Sequence, residues 1–382
     1  MKTKLKFLIV SFILFATLAE AQQMLNRSLL LNKVAREYIV YIPASYNSSS
    51  SVPLMFNFHG YTMSAYDQMV WGSNMRPVAD TAGFILVYPQ GSLLDGKTHW
   101  NIGSWTTGST ADDIGFIEAM IDTLAASYNI DLDRVYSCGY SNGGYFCFEL
   151  ACQLSNRIAA IGSVAGTMST ETYNSCTPSH PTPVVTIHGT SDFSVSYYGA
   201  FPTNSESHAK VNQYWATYNK TTASPVVSDL PDINSSDGSR VELSLYSNGD
   251  NSTSIEHYKV IDGGHDWPGA WGNMDIHASK IIWNFVSKYD INGLIGCGAA
   301  SFREKIATKG KLSLYPNPGK NRFTVETDSD ETLDCYIYSS TGQIVLAGTI
   351  GPEANVINLS DILVGVYVLK IGRETIKLLK TE

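Results

Sequence analysis

The stretch Gly139-Tyr140-Ser141-Asn142-Gly143-Gly144 sets one hydroxyl among glycines, at the junction of an apolar run and a segment of helical period. A serine hydroxyl is a weak nucleophile until a base takes its proton, and flanking glycines permit the sharp strand-to-helix turn that lifts it clear of the backbone. Two later segments offer the remaining parts. His188-Gly189-Thr190-Ser191-Asp192 follows one apolar run, and Asp262-Gly263-Gly264-His265-Asp266-Trp267 follows another. Ser141 as nucleophile, His265 as general base and Asp192 as the acid that orients the imidazole would together perform acyl transfer. The expected oxyanion donors are the backbone N–H groups of Asn142 and of Tyr61, the latter in the loop His59-Gly60-Tyr61. Such chemistry uses the chain's own groups, so no cofactor is expected. No Cys/His spacing resembles a zinc site either.

Rivals exist for two of these roles. Asp266 adjoins His265 in sequence, which gives a poor approach to its ring. His188 also ends a strand, but it lies beside the acid loop, where hydrogen bonding to backbone is expected. Trp267, two residues after His265, is the expected substrate contact, an aromatic wall against the acyl or sugar group.

Positioning these groups requires strands that all end on one side. Short β-rich runs at 37–42, 54–58, 84–88, 135–138, 158–164, 184–187 and 256–261 alternate with helical stretches, which predicts a mostly parallel sheet with helices on both faces. The clearest helix spans 113–128, with Asp112 or Asp113 as its cap and Ile114, Ile117, Met120, Ile121 and Leu124 on one face. Further helices are expected at 142–154 and near 276–289. This is the α/β-hydrolase arrangement, in which nucleophile, acid and base follow one another in that order. After Cys297 the pattern changes to short alternating runs between turn residues. A polar linker at 297–310 and a small antiparallel β-sandwich at 311–382 are expected, following a catalytic domain at 22–296.

The N-terminus carries Lys2, Lys4 and Lys6, then an apolar run from Phe7 to Ala19, then small residues, the zones of a secretory signal at 1–21. That run is shorter than the roughly 20 residues needed to span a bilayer, so no stable membrane span is expected. Net charge is −9 and no basic patch follows the leader, which argues against a nucleic-acid partner. The six cysteines allow fifteen pairings. Cys152 and Cys176 are one candidate pair, Cys138 and Cys147 read as buried thiols, and Cys297 and Cys335 are unassigned.

With Phe58-His59-Gly60, Asp112-Asp113-Ile114-Gly115-Phe116, the serine segment, Leu150-Ala151-Cys152, the acid segment and Gly263-Gly264-His265-Asp266-Trp267-Pro268-Gly269, the region 36–289 resembles secreted polyhydroxybutyrate-depolymerase-like and carbohydrate esterase family one enzymes, feruloyl and acetylxylan esterases among them. The resemblance implies triad roles for Ser141, Asp192 and His265, and a disulfide between Cys152 and Cys176. It also implies an ester substrate, feruloyl or acetyl groups on plant polysaccharide, with polyhydroxyalkanoate or another polyester as the second expectation. A non-catalytic glycan-binding surface protein is the alternative from another class, and intact triad positions argue against it. The polar insertion between Ser224 and Ser254 lacks the apolar surface of a lipase lid. Leu314-Tyr315-Pro316-Asn317-Pro318, Ile337-Tyr338-Ser339-Ser340-Thr341-Gly342 and Gly365-Val366-Tyr367-Val368-Leu369-Lys370 resemble a type IX secretion sorting domain. That likeness implies the type IX machinery as a partner and a secreted or cell-surface location.

Overall fold

The computed structural model describes residues 22–200, 203–296 and, with short gaps, 313–381. The expected leader at 1–21, the expected linker at 297–310 and Cys297 lie outside the described residues. The chain divides into two compact units, Met1–Ala300 and Ser301–Glu382.

The first unit is built on one ten-stranded sheet. Its strands are β1 (Gln23–Leu31), β2 (Val34–Ile42), β3 (Val52–Phe58), β4 (Ile85–Pro89), β5 (Ile130–Tyr140), β6 (Ala160–Val164), β7 (Val184–Gly189), β8 (Val226–Asp229), β9 (Arg240–Tyr246) and β10 (Ile255–Ile261). They lie in the order β1-β2-β4-β3-β5-β6-β7-β10-β9-β8. The six strands from β4 to β10 are parallel, whereas β1, β2, β9 and β8 join antiparallel at the two edges. The central strands are buried on both faces and therefore read as continuous apolar runs.

The helices are α1 (Arg76–Ala82), α2 (Asp113–Ser127), α3 (Asn142–Gln153), α4 (Thr170–Ser175), α5 (His208–Asn219) and α6 (Ala278–Val286). One core holds Phe116, Ile117 and Met120 of α2, Phe146 and Leu150 of α3 and Trp215 of α5 against one face of the sheet. A second core holds Ala79 of α1 and Ile282, Phe285 and Val286 of α6 against the other. Asp112 caps α2 by accepting from the Gly115 N–H at 2.9 Å. Asp113 has a different task. Its buried carboxylate meets the Arg36 guanidinium of β2 at 2.6 Å and accepts from the Asn101 N–H at 2.8 Å.

Cys152, the penultimate residue of α3, is bonded to Cys176, which follows α4. Cys138 and Cys147 are buried thiols. Among the described residues no helix is long and apolar enough to cross a membrane.

In the second unit, β11 (Ser313–Tyr315), β12 (Arg322–Glu326) and β15 (Val356–Asn358) form one antiparallel sheet. A second antiparallel sheet holds β14 (Ile344–Ile350), β13 (Leu333–Ser339), β16 (Gly365–Ile371) and β17 (Glu374–Lys380). Phe323, Val325, Ile337, Ile357, Leu369 and Leu378 from both sheets share one core. Along β16, Tyr367, Leu369 and Ile371 are buried while Val366 and Val368 are exposed, the period of two that a half-buried strand imposes.

Candidate active site

The chain reverses its direction of travel across the sheet between β3 and β5: β4 lies on one side of β3, and β5 to β7 continue on the other. The carboxyl ends of adjacent parallel strands at such a reversal leave a crevice. Ser141 stands at the end of β5 and opens α3, with φ 53° and ψ −119°. That sparsely populated conformation is held by two bonds, Ser141 N–H to Val164 O at 2.9 Å and Tyr145 N–H to Ser141 O at 3.0 Å. Two glycines make room for the turn. A Cβ on Gly139 would lie 2.4 Å from the Gly143 carbonyl group, and one on Gly143 would lie 2.4 Å from Phe58 O.

His265 Nε2 lies 2.9 Å from Ser141 Oγ, and its Nδ1 lies 2.6 Å from Asp192 Oδ2. The structure thus brings together Ser141, His265 and Asp192, from the ends of β5, β10 and β7. With an acceptor carboxylate at Nδ1, that nitrogen carries the proton and Nε2 is free to accept one. The two loops are locked to each other by Ser191 N–H to Gly263 O at 2.9 Å and Thr190 N–H to Val260 O at 2.9 Å. Gly189 lets them touch, since a Cβ there would lie 2.2 Å from Gly263 O. Asp192 Oδ1 accepts from the N–H groups of Ser194 and Val195, both at 2.8 Å. Burial by itself would raise its carboxyl pKa, but the imidazole donors of His188 and His265 outweigh burial and hold it well below the usual carboxylate range. Asp266 turns away from this ring and accepts from the Gly264 N–H at 3.0 Å.

Asn142 follows Ser141 at the start of α3, and Tyr61 lies on the loop after β3. A Cβ on Gly60 would lie 3.4 Å from Ser141 Cβ, so the loop after β3 passes directly beside the serine. Among the described residues, neither the Tyr61 N–H nor the Asn142 N–H has a protein acceptor. The Asn142 side chain pins the neighbouring loop instead: its Oδ1 accepts from Trp100 N–H at 2.7 Å and its Nδ2 donates to Trp100 O at 3.1 Å. Trp100 in turn donates from Nε1 to His59 O at 3.0 Å. His59 is sealed in this packing, where desolvation pushes its pKa down to about 4.

Trp267 does not fit its expected role. It is fully buried in the core between the sheet and α6, and its Nε1–H donates to Ser279 Oγ at 3.1 Å. The indole props the histidine loop from beneath and presents no face to a substrate. A large apolar ring two residues beyond a loop residue returns to the core when the chain turns back toward its helix, as it does here toward α6.

Two features escaped the sequence reading. Tyr140, the residue before the nucleophile, donates from its hydroxyl to His265 O at 2.6 Å. An aromatic row runs from the oxyanion loop: Tyr61 meets Trp105 edge-on at 5.3 Å, and Trp105 meets Tyr145 at 6.3 Å. Its signal in the sequence was no more than the presence of Trp105 near the site.

The fold and this constellation define an α/β hydrolase with a serine-histidine-aspartate site. Residues 36–213 match the family model of the esterase PHB depolymerases, and residues 313–381 match the secretion system C-terminal sorting domain. The chain is thus similar to that esterase family over 36–213 and to the sorting domain over 313–381. It is 27% identical over 260 residues to the bifunctional acetylxylan esterase/xylanase of Neocallimastix patriciarum, covering 68% of this chain and 34% of that protein. It is also 27% identical over 265 residues to feruloyl esterase B of Piromyces equi, covering 67% of this chain and 46% of the relative. The chain thus spans about a third to a half of the length of these relatives. The acetyl xylan esterase from Aspergillus awamori shares the fold, with a TM-score of 0.50 at 15% identity over 69% of this chain and 98% of that one.

Proposed function

We propose that this protein is an exported serine carboxylic-ester hydrolase that releases feruloyl or acetyl groups from plant polysaccharide. The observation that carries the reading is the continuous line from Ser141 Oγ through the His265 ring to Asp192, at 2.9 and 2.6 Å. Ser141 Oγ attacks the ester carbonyl and passes its proton to His265 Nε2. The carbonyl oxygen, now negative, is met by the N–H groups of Tyr61 and Asn142 at the start of α3, where the helix end also favours negative charge. His265 returns the proton to the departing alcohol, and a water molecule deprotonated by the same imidazole then frees the acid and restores the serine. The relatives' activities and the aromatic row beside Tyr61 support an aryl-acyl or acetyl ester. The leader at 1–21 and the sorting domain support export through the type IX route.

A second reading follows from the family model itself, whose members include polyhydroxybutyrate depolymerases. The test uses the full chain beside Ser141→Ala, with methyl ferulate, p-nitrophenyl acetate and a polyhydroxybutyrate film. Soluble-ester turnover that disappears in the variant is the expected result. Clearing of the film without soluble-ester turnover would favour the polyester, and no hydrolysis of any of the three by folded protein would overturn the esterase reading.

A further inference from the structure

The triad acid has a neighbour that the reaction scheme does not use. His188, the penultimate residue of β7, has no exposed side-chain surface, and its Nε2 lies 2.8 Å from Val195 O and 3.2 Å from Asp192 Oδ2. Both neighbours are oxygens that only accept, so Nε2 must carry the hydrogen. Nδ1 is buried and has no partner among the described residues, so a second hydrogen there would be a buried donor without an acceptor. The partners therefore place a hydrogen on Nε2 and offer no acceptor for one at Nδ1.

We infer that His188 is a positioning residue for the reaction: its Nε2–H, donated to Val195 O at 2.8 Å, ties down the acid loop and stands 3.2 Å from Asp192 Oδ2, the oxygen that receives His265 Nδ1–H. The inference rests on the triad reading above. Ser194 and Val195 donate to Oδ1 and His265 to Oδ2, and His188 holds the Val195 carbonyl while its polar hydrogen faces the same buried carboxylate, which fixes the plane in which Oδ2 faces His265. The titratable groups that face His188 are Asp192 on the following loop, Tyr197 at 6.0 Å between ring centroids, and His208 of α5 at 4.3 Å; His257 of β10 stacks on His208 at 4.9 Å. Desolvation pushes His208 well below the ordinary histidine range and His257 down to about 3, so neither of these two rings is a cation at working pH.

The 3.2 Å approach has a chemical consequence. The positive end of the His188 N–H dipole lowers the potential that the carboxylate presents, so Asp192 holds the imidazolium of His265 less tightly with His188 present than without it. Removing the donor should let the base protonate at higher pH.

The test compares the pH profile of kcat/KM in the full-length protein, His188→Phe and His188→Gln, with Ser141→Ala as the reference for the triad itself. His188→Phe should lose about tenfold in kcat with little change in KM, and its acid limb should move up by roughly half to one pH unit. His188→Gln keeps an N–H near the Nε2 position and should return the limb toward wild type. The inference is overturned if the Phe limb stays in place, or if Gln is displaced as far as Phe. Should His188→Phe not fold, 15N spectra of the histidines in the wild-type protein decide: a neutral Nε2–H ring at His188 supports the inference, and an Nδ1–H ring or an imidazolium overturns it. Hydrolysis surviving in Ser141→Ala would overturn the triad reading, whereas its loss there with an unmoved His188→Phe profile overturns this inference alone.

Discussion

The Tyr140 hydroxyl donates a 2.6 Å hydrogen bond to the backbone carbonyl of His265. The residue that precedes Ser141 thereby anchors the loop that carries His265, and the two sides of the Ser141–His265 hydrogen bond share one support. The ring lies 5.0 Å from the His265 imidazole and 5.8 Å from Trp271, so it also walls the histidine on one side. Tyr140→Phe keeps the wall and removes the anchor. Loss of one neutral hydrogen bond should cost about 1 kcal/mol, hence a melting point lower by a few degrees and kcat lower by roughly fivefold. Steady-state kinetics and a thermal scan check both. Unchanged kcat would mean that the loop is held without Tyr140.

Asp192 makes the site's dependence on acid explicit. Its folded-state pKa is depressed by the His188 and His265 donors against the opposing effect of burial. The unfolded chain therefore binds the proton more readily, and stability rises with pH across the interval between the two values. The contribution is present above the unfolded carboxylate value of about 3.9 and is lost as pH falls below it toward the folded value. Thermal scans from pH 6 to pH 3 should show a steeper fall for wild type than for Asp192→Asn. The same variant should lose about 10⁴-fold in kcat, because an amide no longer fixes the Nδ1–H tautomer. Parallel stability curves would show that Asp192 does not carry the acid sensitivity.

The serine, the acid and the histidine were legible because each follows an apolar run and sits beside glycines that a tight loop requires. Parallel strands then put all three at one edge. The same logic could not see Tyr140, since a strand-end tyrosine gives no indication of what its hydroxyl will meet across 125 residues. It misplaced Trp267 because position beside a catalytic histidine says nothing about which way an indole turns. The edge strands β1, β8 and β9 were also missed. Their residues are largely exposed or half-buried, Val226–Asp229 exposed throughout, and polar residues interrupt all three, so no strand-length apolar run marks them. The insertion judged too polar for a lipase lid is in fact the edge of the sheet. α5 was overlooked for a related reason: its sequence HAKVNQYWATYN mixes polar residues with the buried Val211 and Trp215, which blurs the period.

Close approach at the elbow gives a packing prediction. The Cβ of Gly143→Ala would press on the carbonyls of both Phe58 and His59, at 2.4 and 2.7 Å, and backbone cannot yield as a side chain can. Relief requires α3 and the loop bearing Tyr61 to separate. The variant should be less stable by about 1–3 kcal/mol. Because both expected oxyanion donors ride on those two elements, kcat should fall more than stability alone would suggest. Chemical denaturation beside kinetics at a temperature where the variant is folded separates the two effects. A folded variant with wild-type kcat would remove the Tyr61 loop from the oxyanion role.

The disulfide ties the end of α3 to the segment after α4 across a sequence separation of 24. A loop of that length, if left open, adds about 3 kcal/mol of chain entropy to the unfolded state in the loop-closure model. Cys152→Ser with Cys176→Ser should lower the urea midpoint accordingly while leaving KM for p-nitrophenyl acetate within about twofold, since the catalytic loops hang on the opposite end of the strands. A midpoint shift near zero would mean that packing of Cys152 in the core already holds the two segments together.

The aromatic row beside the oxyanion loop replaces Trp267 as the place to look for acyl specificity. Tyr61 supplies its N–H to the site by the reading above, and the half-buried Trp105 ring lies 5.3 Å from the Tyr61 ring. Trp105 Nε1–H is buried and has no acceptor among the described residues. The half-buried indole plane is the part that a flat hydroxycinnamoyl ring can reach, whereas an acetyl group is too short to stack on it. Trp105→Phe preserves an aromatic face; Trp105→Ala deletes it. The ratio of kcat/KM for methyl ferulate to that for p-nitrophenyl acetate should stay within about twofold in the Phe variant and drop roughly fivefold to tenfold in the Ala variant, with the acetate values nearly constant. Equal losses on both esters would place Trp105 in general support of the loop, and specificity would then have to be sought on the far side of Ser141.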